Sequence, residues 1–535
     1  MRFFERKSSF LFFSLIAWGV IVYLVARDLI PEKIFFTQDL ATSFGVSRAF
    51  LNGELLLLGP PSHVGGRHLG PYYYWTIVFS LLVAGGDTYR AVIVLVILNL
   101  TSLLLLIFIL RKFFSGLSLY GALCGLGGTV LGSKFPWVLR DPWHANMVFL
   151  FSSVFVFSFY KTLERGKWYF PFMILSGAVL GQMHFSSAPL VIGFGAVALL
   201  SLYKLPQRDK VTRREKLFSL SALILTCFSF TPLLIYELRF GSVIEPLFSG
   251  LNERSEFSID YLSLFAHIGR YFGDYTPFHA VNLPVLFHTR ELKILYCISG
   301  VLLSVSWFYV SSLRKKYFAG GVLLSLVLYA VSLRHAPDLY NYYLNALLPV
   351  VALVSSIGIG FSIKCALQIK SEKYLAGISI VFSTLFFLFA YENFIKTSKV
   401  LASRPIAHWH TLETSTALAD AIKADNASKE PFTLVTQGVL DISREAVFYE
   451  LGQEYFDEYR YREVFREIPY RPESVKNAQL GYSMYAPRTD WLGRKSARRH
   501  RKEGWIDEQE LSLQHCKTCS NCDLIRLRAR GVAHE

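Results

Sequence analysis

The sequence predicts an all-α, polytopic membrane protein with about eleven transmembrane helices and a small α/β domain outside the membrane at the C-terminal end. Hydrophobic residues make up 53% of the 535 residues and charged residues only 18%. The apolar residues form blocks long enough to cross a hydrocarbon core, which takes roughly 20 residues per helix. Such blocks must be helical because a backbone in lipid has to satisfy its own hydrogen bonds.

The first predicted span is a retained signal anchor with a cytoplasmic N-terminus. Arg2, Arg6 and Lys7 precede an apolar run, and no small-residue cleavage site follows it. Further spans follow from the hydropathy pattern. With the first, the predicted spans are approximately 9–29, 90–110, 117–133, 146–162, 168–184, 187–203, 217–237, 292–312, 317–333, 342–363 and 373–393.

Charge fixes the predicted orientation of these spans. Basic residues recur in the loops at 111–112, 161–167, 204–216, 314–316 and 364–373, all on one side of the membrane. This is the positive-inside pattern of cytoplasmic loops. The other loops, and everything after residue 394, then face the non-cytoplasmic side. The net charge of +15 is therefore explained without a nucleic-acid partner, and the partners expected instead include membrane lipids.

The apolar stretch at 72–84 is ambiguous because it is short. As a full span it would place Arg111 and Lys112 outside, against the charge rule. As an interfacial helix on the outer face it leaves both residues in the cytoplasm. We therefore favour the interfacial helix.

The chain changes character near residue 397, which predicts a membrane domain over 1–396 and a non-cytoplasmic soluble domain over 397–535. In the second part Lys and Arg number 21 and Asp and Glu number 20, and long apolar blocks vanish. Its pattern indicates helices at 415–425 and 443–452 and a strand at 432–437. The tail also holds Cys516, Cys519 and Cys522. Their spacing favours a disulfide with one cysteine left over, and a zinc site completed by His515 is the alternative.

The first outer loop combines an acid, a cationic pair and several turns. Asp39 opens a stretch whose apolar spacing fits a short surface helix ended by Asn52-Gly53. Taken alone, Asp39 is most simply a helix N-cap. Turn-rich patches at 59–61 and 65–66 follow, and then Arg67-His68, so the loop as a whole is typical of a functional site.

Five motifs in a fixed order carry a resemblance to a known family. They are Asp39 after the first span, Leu57-Leu58-Gly59-Pro60-Pro61 with Gly70-Pro71-Tyr72-Tyr73-Tyr74-Trp75, Arg140-Asp141-Pro142-Trp143 with Asn146, Gly181-Gln182-Met183-His184, and Tyr342-Tyr343-Leu344 through Pro349. Over about residues 10–390 the chain resembles the GT-C class of integral-membrane glycosyltransferases, in the bacterial branch of the protein mannosyltransferase and aminoarabinose transferase type (family 39-like). Many relatives have two adjacent acids in the first loop. Here Asp39 stands alone, and the second acidic role is unfilled or belongs to Asp141.

The resemblance implies transfer of a sugar from a polyprenyl-phosphate-linked donor to a lipid, glycan or protein acceptor on the outer face. Asp39 is then the general base for the acceptor. Cations stabilise the departing phosphate, and the candidates are Arg67, His68, Arg140, Arg334 and His335. The candidates for contacts with the substrate are Asp141, His184, Tyr342 and Tyr343. Relatives differ in their need for a divalent cation, so a divalent cation is one possibility, but the single acid in the first loop favours a site without metal ligands.

Each of these residues also has a structural interpretation. His184 and His144 fit hydrogen bonds between helices, and Tyr342 and Tyr343 fit an interfacial aromatic belt. The main alternative function is a transporter or flippase for lipid-linked glycans, which usually shows paired halves with broken helices. A glycan polymerase or ligase of another membrane fold is a third reading, and it would not predict an acid just after the first span.

Overall fold

The computed structural model is mostly helical. It describes residues 38–61, 67–131, 135–205, 212–242, 312–334, 341–368, 412–425, 432–435, 480–485, 505–511 and 523–529, and the isolated positions 19, 23, 34, 36, 245, 381 and 384. The helices are α1 Gln38–Leu51, α2 Tyr72–Val83, α3 Thr88–Phe113, α4 Gly116–Leu131, α5 Phe135–Arg140, α6 His144–Arg165, α7 Phe170–Met183, α8 Ala188–Lys204, α9 Arg213–Ser229, α10 Thr231–Phe240, α11 Leu313–Arg334, α12 Leu348–Gln368 and α13 Leu412–Asp425. A 3₁₀ turn at Asn341–Leu347 leads into α12.

Six helical stretches among the described residues are long and apolar enough to cross a membrane: Thr88–Phe113, His144–Trp168, Phe185–Lys204, Arg213–Phe240, Leu313–Leu333 and Tyr342–Cys365. The apolar helices α4 and α7 are shorter. All of them coincide with predicted spans. The spans predicted at 9–29, 292–312 and 373–393 lie outside the described residues, so the total of about eleven stays a prediction.

Ion pairs join the ends of helices that the charge pattern assigned to one side. Lys112 at the end of α3 lies 3.8 Å from Glu164 near the end of α6. Arg165, the last residue of α6, lies 3.3 Å from Glu215 in the first turn of α9. Half-exposed pairs of this kind contribute little to stability. They do show that the basic ends of α3, α6 and α9 meet.

Glycines let the helices of this bundle approach closely. A Cβ on Gly121 or Gly125 of α4 would meet the isoleucine side chains of α12, namely Ile363 and Ile359. A Cβ on Gly193 of α8 would meet Ser325 of α11. Small residues at such contacts compensate for the absence of a hydrophobic driving force between helices in lipid.

The two short helices of the first outer loop both form where the sequence predicts them. α1 begins at Gln38 and ends at Asn52-Gly53, where Gly53 adopts a positive φ of 99°. α2 has 12 residues, or about 18 Å, against a hydrocarbon core of about 30 Å. α2 is too short to cross the membrane alone, and its interfacial position stays a prediction.

The chain divides into two compact units. One contains Met1–Ala26, Leu55–Thr76 and Val92–Ser398, and the other contains Arg27–Glu54, Ile77–Ala91 and Lys399–Glu535. The last of these divisions lies between Ser398 and Lys399, and the predicted boundary lies between residues 396 and 397. The second unit also takes in segments of the first outer loop, and the domain assignment stays a prediction.

The second unit joins the C-terminal part of the chain to the segment before α1. The Leu412 N–H at the start of α13 donates to the Ile34 carbonyl at 3.0 Å, and both residues are buried. Four strands follow α13 in the chain: β1 Phe432–Val435, β2 Leu480–Tyr485, β3 Trp505–Leu511 and β4 Asp523–Ala529.

These strands form one sheet in the order β1-β2-β4-β3. β1 and β2 are parallel, with Phe432 opposite Leu480, and the other pairs are antiparallel. The helix and the first strand lie where the sequence predicts them. The predicted helix at 443–452 and the three tail cysteines lie outside the described residues, and the α/β domain as a whole stays a prediction.

The membrane topology of α2 and α3 can be tested with topology reporters fused after residue 86 and after Arg111. We expect a non-cytoplasmic signal at residue 86 and a cytoplasmic signal at Arg111, because only an interfacial α2 keeps the basic end of α3 inside. A cytoplasmic signal at residue 86 would show that α2 crosses the membrane and would overturn the predicted orientation.

Candidate functional site

The loop between Leu58 and Gly70 folds back on itself and buries two of the predicted site residues. The Gly59 N–H donates to the His68 carbonyl at 2.9 Å, and the His68 N–H donates to the Pro60 carbonyl at 3.0 Å. Arg67 and His68 are 7% and 3% exposed. The turn-forming residues at 59–61 therefore position this cationic pair inside the first unit.

The start of α6 is fixed by hydrogen bonds from neighbouring segments. Asp141 Oδ1 accepts from the Trp143 N–H at 3.3 Å, and the Pro142 carbonyl accepts from the Tyr73 hydroxyl at 2.9 Å. These bonds place the buried His144 in the first turn of the helix. At least one carboxylate oxygen of Asp141 thus accepts a backbone hydrogen bond just before α6.

The 3₁₀ turn at Asn341–Leu347 docks on the same helix start. The Asn345 amide donates to the Ala145 carbonyl at 2.9 Å and to Asn146 Oδ1 at 2.8 Å, and both asparagines are buried. The Tyr342 and Trp143 rings pack edge to face with their centroids 5.2 Å apart. This polar contact between two asparagines holds the tyrosines of the turn against α6.

His184 follows α7, and its ring is fixed by a local partner. Its Nδ1 lies 2.8 Å from the Ser186 hydroxyl and 3.2 Å from the Ser186 backbone nitrogen. Nδ1 is therefore occupied within its own turn. The Ser186 N–H, which donates to Nδ1, thus fixes the orientation of the ring.

Three histidines from these separate segments come together in the first unit. The buried side chains of His68, His144 and His184 each offer one nitrogen, and these nitrogens lie within 4.8 Å of one another. The ring centroids are 4.7, 5.6 and 5.8 Å apart. Aromatic rings surround the histidines, and they are those of Tyr73, Trp143, Phe185, Tyr342 and Tyr343. We refer to the three histidines as the histidine cluster.

A buried amide lies two residues before His184 in the chain. The Gln182 side chain is 3% exposed, and neither its Nε2 nor its Oε1 has a hydrogen-bond partner. Its backbone carbonyl accepts from the Gly70 N–H at 3.4 Å, which ties the loop of His68 to the segment of His184. An unsatisfied buried amide costs roughly 1–3 kcal/mol, so a native protein usually provides a partner or a ligand for it.

The structure brings several of the predicted residues together within the first unit. Arg67, His68, His184, Tyr342 and Tyr343 lie at or directly beside the histidine cluster, and Arg140 and Asp141 directly precede α6. Asp39 is exposed in the first turn of α1 and belongs to the second unit. Arg334 ends α11, its side chain is not described, and His335 lies outside the described residues.

The sequence does not place His144 and Gln182 together with the other residues of this site. His144 fits a structural hydrogen bond between helices, and Gln182 lies in the Gly181–His184 motif without a predicted role. For Gln182 the signal was available, because a polar amide near the end of an apolar helix often marks a site. Nothing in the sequence around His144 indicates that two other histidines face it.

Comparison with known proteins identifies the fold. No protein-family model matches the sequence, and no curated protein matches it. Among solved structures, the chain is similar to ArnT from Cupriavidus metallidurans in the apo state, with 11% identity, a TM-score of 0.58 and coverage of 96% of this chain and 97% of that chain. It is also similar to the same ArnT bound to undecaprenyl phosphate, with 10% identity, a TM-score of 0.57 and coverage of 96% and 98%. The resemblance to the GT-C class is thereby confirmed at the level of the fold.

A substitution at Gly70 tests the packing of the loop against Gln182. A Cβ at Gly70 would overlap the Gln182 side chain, lying 2.9 Å from its Cβ, and would approach the Tyr72 ring at 3.0 Å. We expect Gly70→Ala to destabilise the purified chain by about 1–3 kcal/mol, measured by thermal unfolding in detergent. Gly181→Ala is the matched control, since its added Cβ meets nothing within 4 Å. Equal unfolding temperatures for the two variants would contradict this packing.

Proposed function

We propose that the chain is a membrane glycosyltransferase that moves a sugar from a polyprenyl-phosphate-linked donor to a lipid, glycan or protein acceptor on the outer face of the plasma (inner) membrane. The observation that carries the proposal is the similarity of 96% of the chain to an ArnT structure bound to undecaprenyl phosphate. The motifs of the first outer loop and of the start of α6 support the same class of reaction.

The positions of charge along α6 support an outer-face site. This helix begins with His144, in the histidine cluster, and ends with Arg165, in the ion pairs that join the basic helix ends. Its 22 residues separate the two ends by about 33 Å. Because basic loops stay in the cytoplasm, the histidine cluster belongs to the opposite face. In this orientation the N-terminus is cytoplasmic and the C-terminal domain is periplasmic or extracellular.

Asp39 is the general base in this proposal. An acceptor hydroxyl or amine must lose a proton as it attacks the anomeric carbon, and a positioned base typically contributes a factor of about 10²–10⁴ to such a step. Asp39 lies in the first turn of α1, where the helix dipole favours the ionised carboxylate. Its exposure leaves it accessible to an acceptor.

Cationic and polar side chains of the first unit bind the donor in this proposal. The departing phosphate gains negative charge, and preorganised cations stabilise it. Arg67 is buried beside His68, so its planar guanidinium acts in a water-poor environment that strengthens a bidentate phosphate contact. The proposal gives the same role to Arg140, Arg334 and His335, and it gives substrate contacts to Asp141, His184, Tyr342 and Tyr343.

The test of this assignment is Asp39→Asn in membranes supplied with polyprenyl-phosphate sugars and extracted acceptors. Loss of the base should lower the rate of sugar transfer by at least ~100-fold, measured by incorporation of labelled sugar. Glu54→Gln is the matched control, because Glu54 is also an exposed acid just after α1. Its transfer rate should equal that of the wild type.

Transfer by Asp39→Asn at the wild-type rate would remove Asp39 from the mechanism. No transfer by the wild type, together with movement of a lipid-linked glycan across the bilayer, would replace the enzyme with the flippase. Transfer that is lost equally in Glu54→Gln would show that the loop, and not the Asp39 carboxylate, is responsible.

A further inference from the structure

We infer that His68, His144 and His184 form a binding site for one divalent cation, with zinc as the preferred ion. The histidine cluster lies within the first unit, and its members come from three segments that other contacts lock together. Imidazole nitrogens are common zinc ligands, and a set of three leaves a fourth position open for an oxygen ligand.

The spacing of the rings fits such a site. A zinc–nitrogen distance of about 2.0–2.1 Å places the ring centroids of a tetrahedral site roughly 5 Å apart. The observed separations of 4.7, 5.6 and 5.8 Å bracket that value. The three nitrogens, which lie within 4.8 Å of one another, would have to move closer together to bind one ion.

The composition of the cluster also suits zinc. The three nitrogens all belong to histidines, and the imidazole nitrogen is among the commonest zinc ligands in proteins.

Ser186 fixes the orientation of the His184 ring. The Ser186 backbone N–H donates to His184 Nδ1 at 3.2 Å, and the Ser186 hydroxyl lies 2.8 Å from the same nitrogen. In the metal-bound form we infer that Nδ1 instead donates to the Ser186 hydroxyl, as the second nitrogen of a ligating histidine usually does, and that Nε2 carries the lone pair. If Nδ1 keeps accepting from Ser186, Nε2 is a donor and the cluster suits an anion.

The Gln182 amide indicates that a ligand completes this region. Its two polar atoms are buried and lack partners, and the residue precedes His184 by two positions in the chain. An oxygen ligand at the open position of the cation is a suitable partner for the amide N–H groups. Under the proposed function, on which this last step rests, that ligand is a phosphate oxygen of the donor.

Metal binding can be measured on the full-length chain in detergent, independently of any transfer reaction. Cys516, Cys519 and Cys522 are first replaced by serine, so that thiolates do not contribute. After treatment with a chelator, equilibrium dialysis against zinc followed by elemental analysis should find one ion per chain. His144→Ala should weaken zinc binding by at least ~100-fold. Ser152→Ala on the same helix is the control and should leave binding unchanged, because the Ser152 hydroxyl donates to backbone carbonyls of its own helix.

Two further variants separate ligation from folding. His144→Cys keeps a zinc ligand and should retain binding that His144→Ala loses, whereas a misfolded chain would lose binding in both. Ser186→Ala should weaken binding by about 10–100-fold through the orientation of His184. Ser187→Ala is its control, because the Ser187 hydroxyl donates to backbone carbonyls and not to the ring.

Absence of zinc from the wild type, or equal zinc in His144→Ala, would overturn the inference. The inference would also be overturned if the metal-free chain binds inorganic phosphate and His144→Ala abolishes that binding, because the cluster would then be an anion site. Zinc binding by a chain that transfers no sugar would leave the inference standing and would sink the proposed function. Sugar transfer by a chain that binds no zinc would overturn the inference and leave the proposed function standing.

Discussion

The constraint on which the rest of the structure depends is that hydrocarbon accepts neither unpaired backbone groups nor unpaired charge. It makes the apolar segments helical, and it drives ionisable residues to the helix ends. In the first unit, one set of ends carries the ion pairs of Lys112 with Glu164 and of Arg165 with Glu215. The histidine cluster lies at the other end of α6. The separation of basic anchors from a polar site is thus a direct consequence of the solvent in which the protein folds.

The start of α6 is where this polar end becomes ordered. The Pro142 carbonyl binds the Tyr73 hydroxyl, and the Ala145 carbonyl binds the Asn345 amide. The first backbone groups of a helix and the residues just before it lack partners within the helix, so side chains from other segments can bond there. Such bonds bring the loop helix α2 and the 3₁₀ turn to one point. They also fix His144 in the position that faces His68 and His184.

The sequence was sufficient to predict the described helices but not the contacts between them. Hydropathy and charge predicted the described spans and the two short loop helices, because membrane burial is a local property of each segment. The cluster depends on long-range packing. His68, His144 and His184 lie on different segments, and each alone was as well explained by a single hydrogen bond. The role of Gln182 was missed for the same reason, since its environment is set by Gly70 and not by its own helix. The role of Asp39 is assigned only from its place after the first predicted span, and it stays a prediction.

The buried amide of Gln182 destabilises the first unit, and that cost bears on function. The Gln182 side chain is 3% exposed, and neither of its polar atoms has a hydrogen-bond partner among the described residues. A buried polar group of this kind lowers the stability of a fold unless a partner satisfies it, and an apolar side chain of similar shape is usually at least as stable. The retention of this amide two residues before His184 is therefore best explained by a polar ligand that binds there. Under the inferred cation site, an oxygen ligand of the ion supplies that partner.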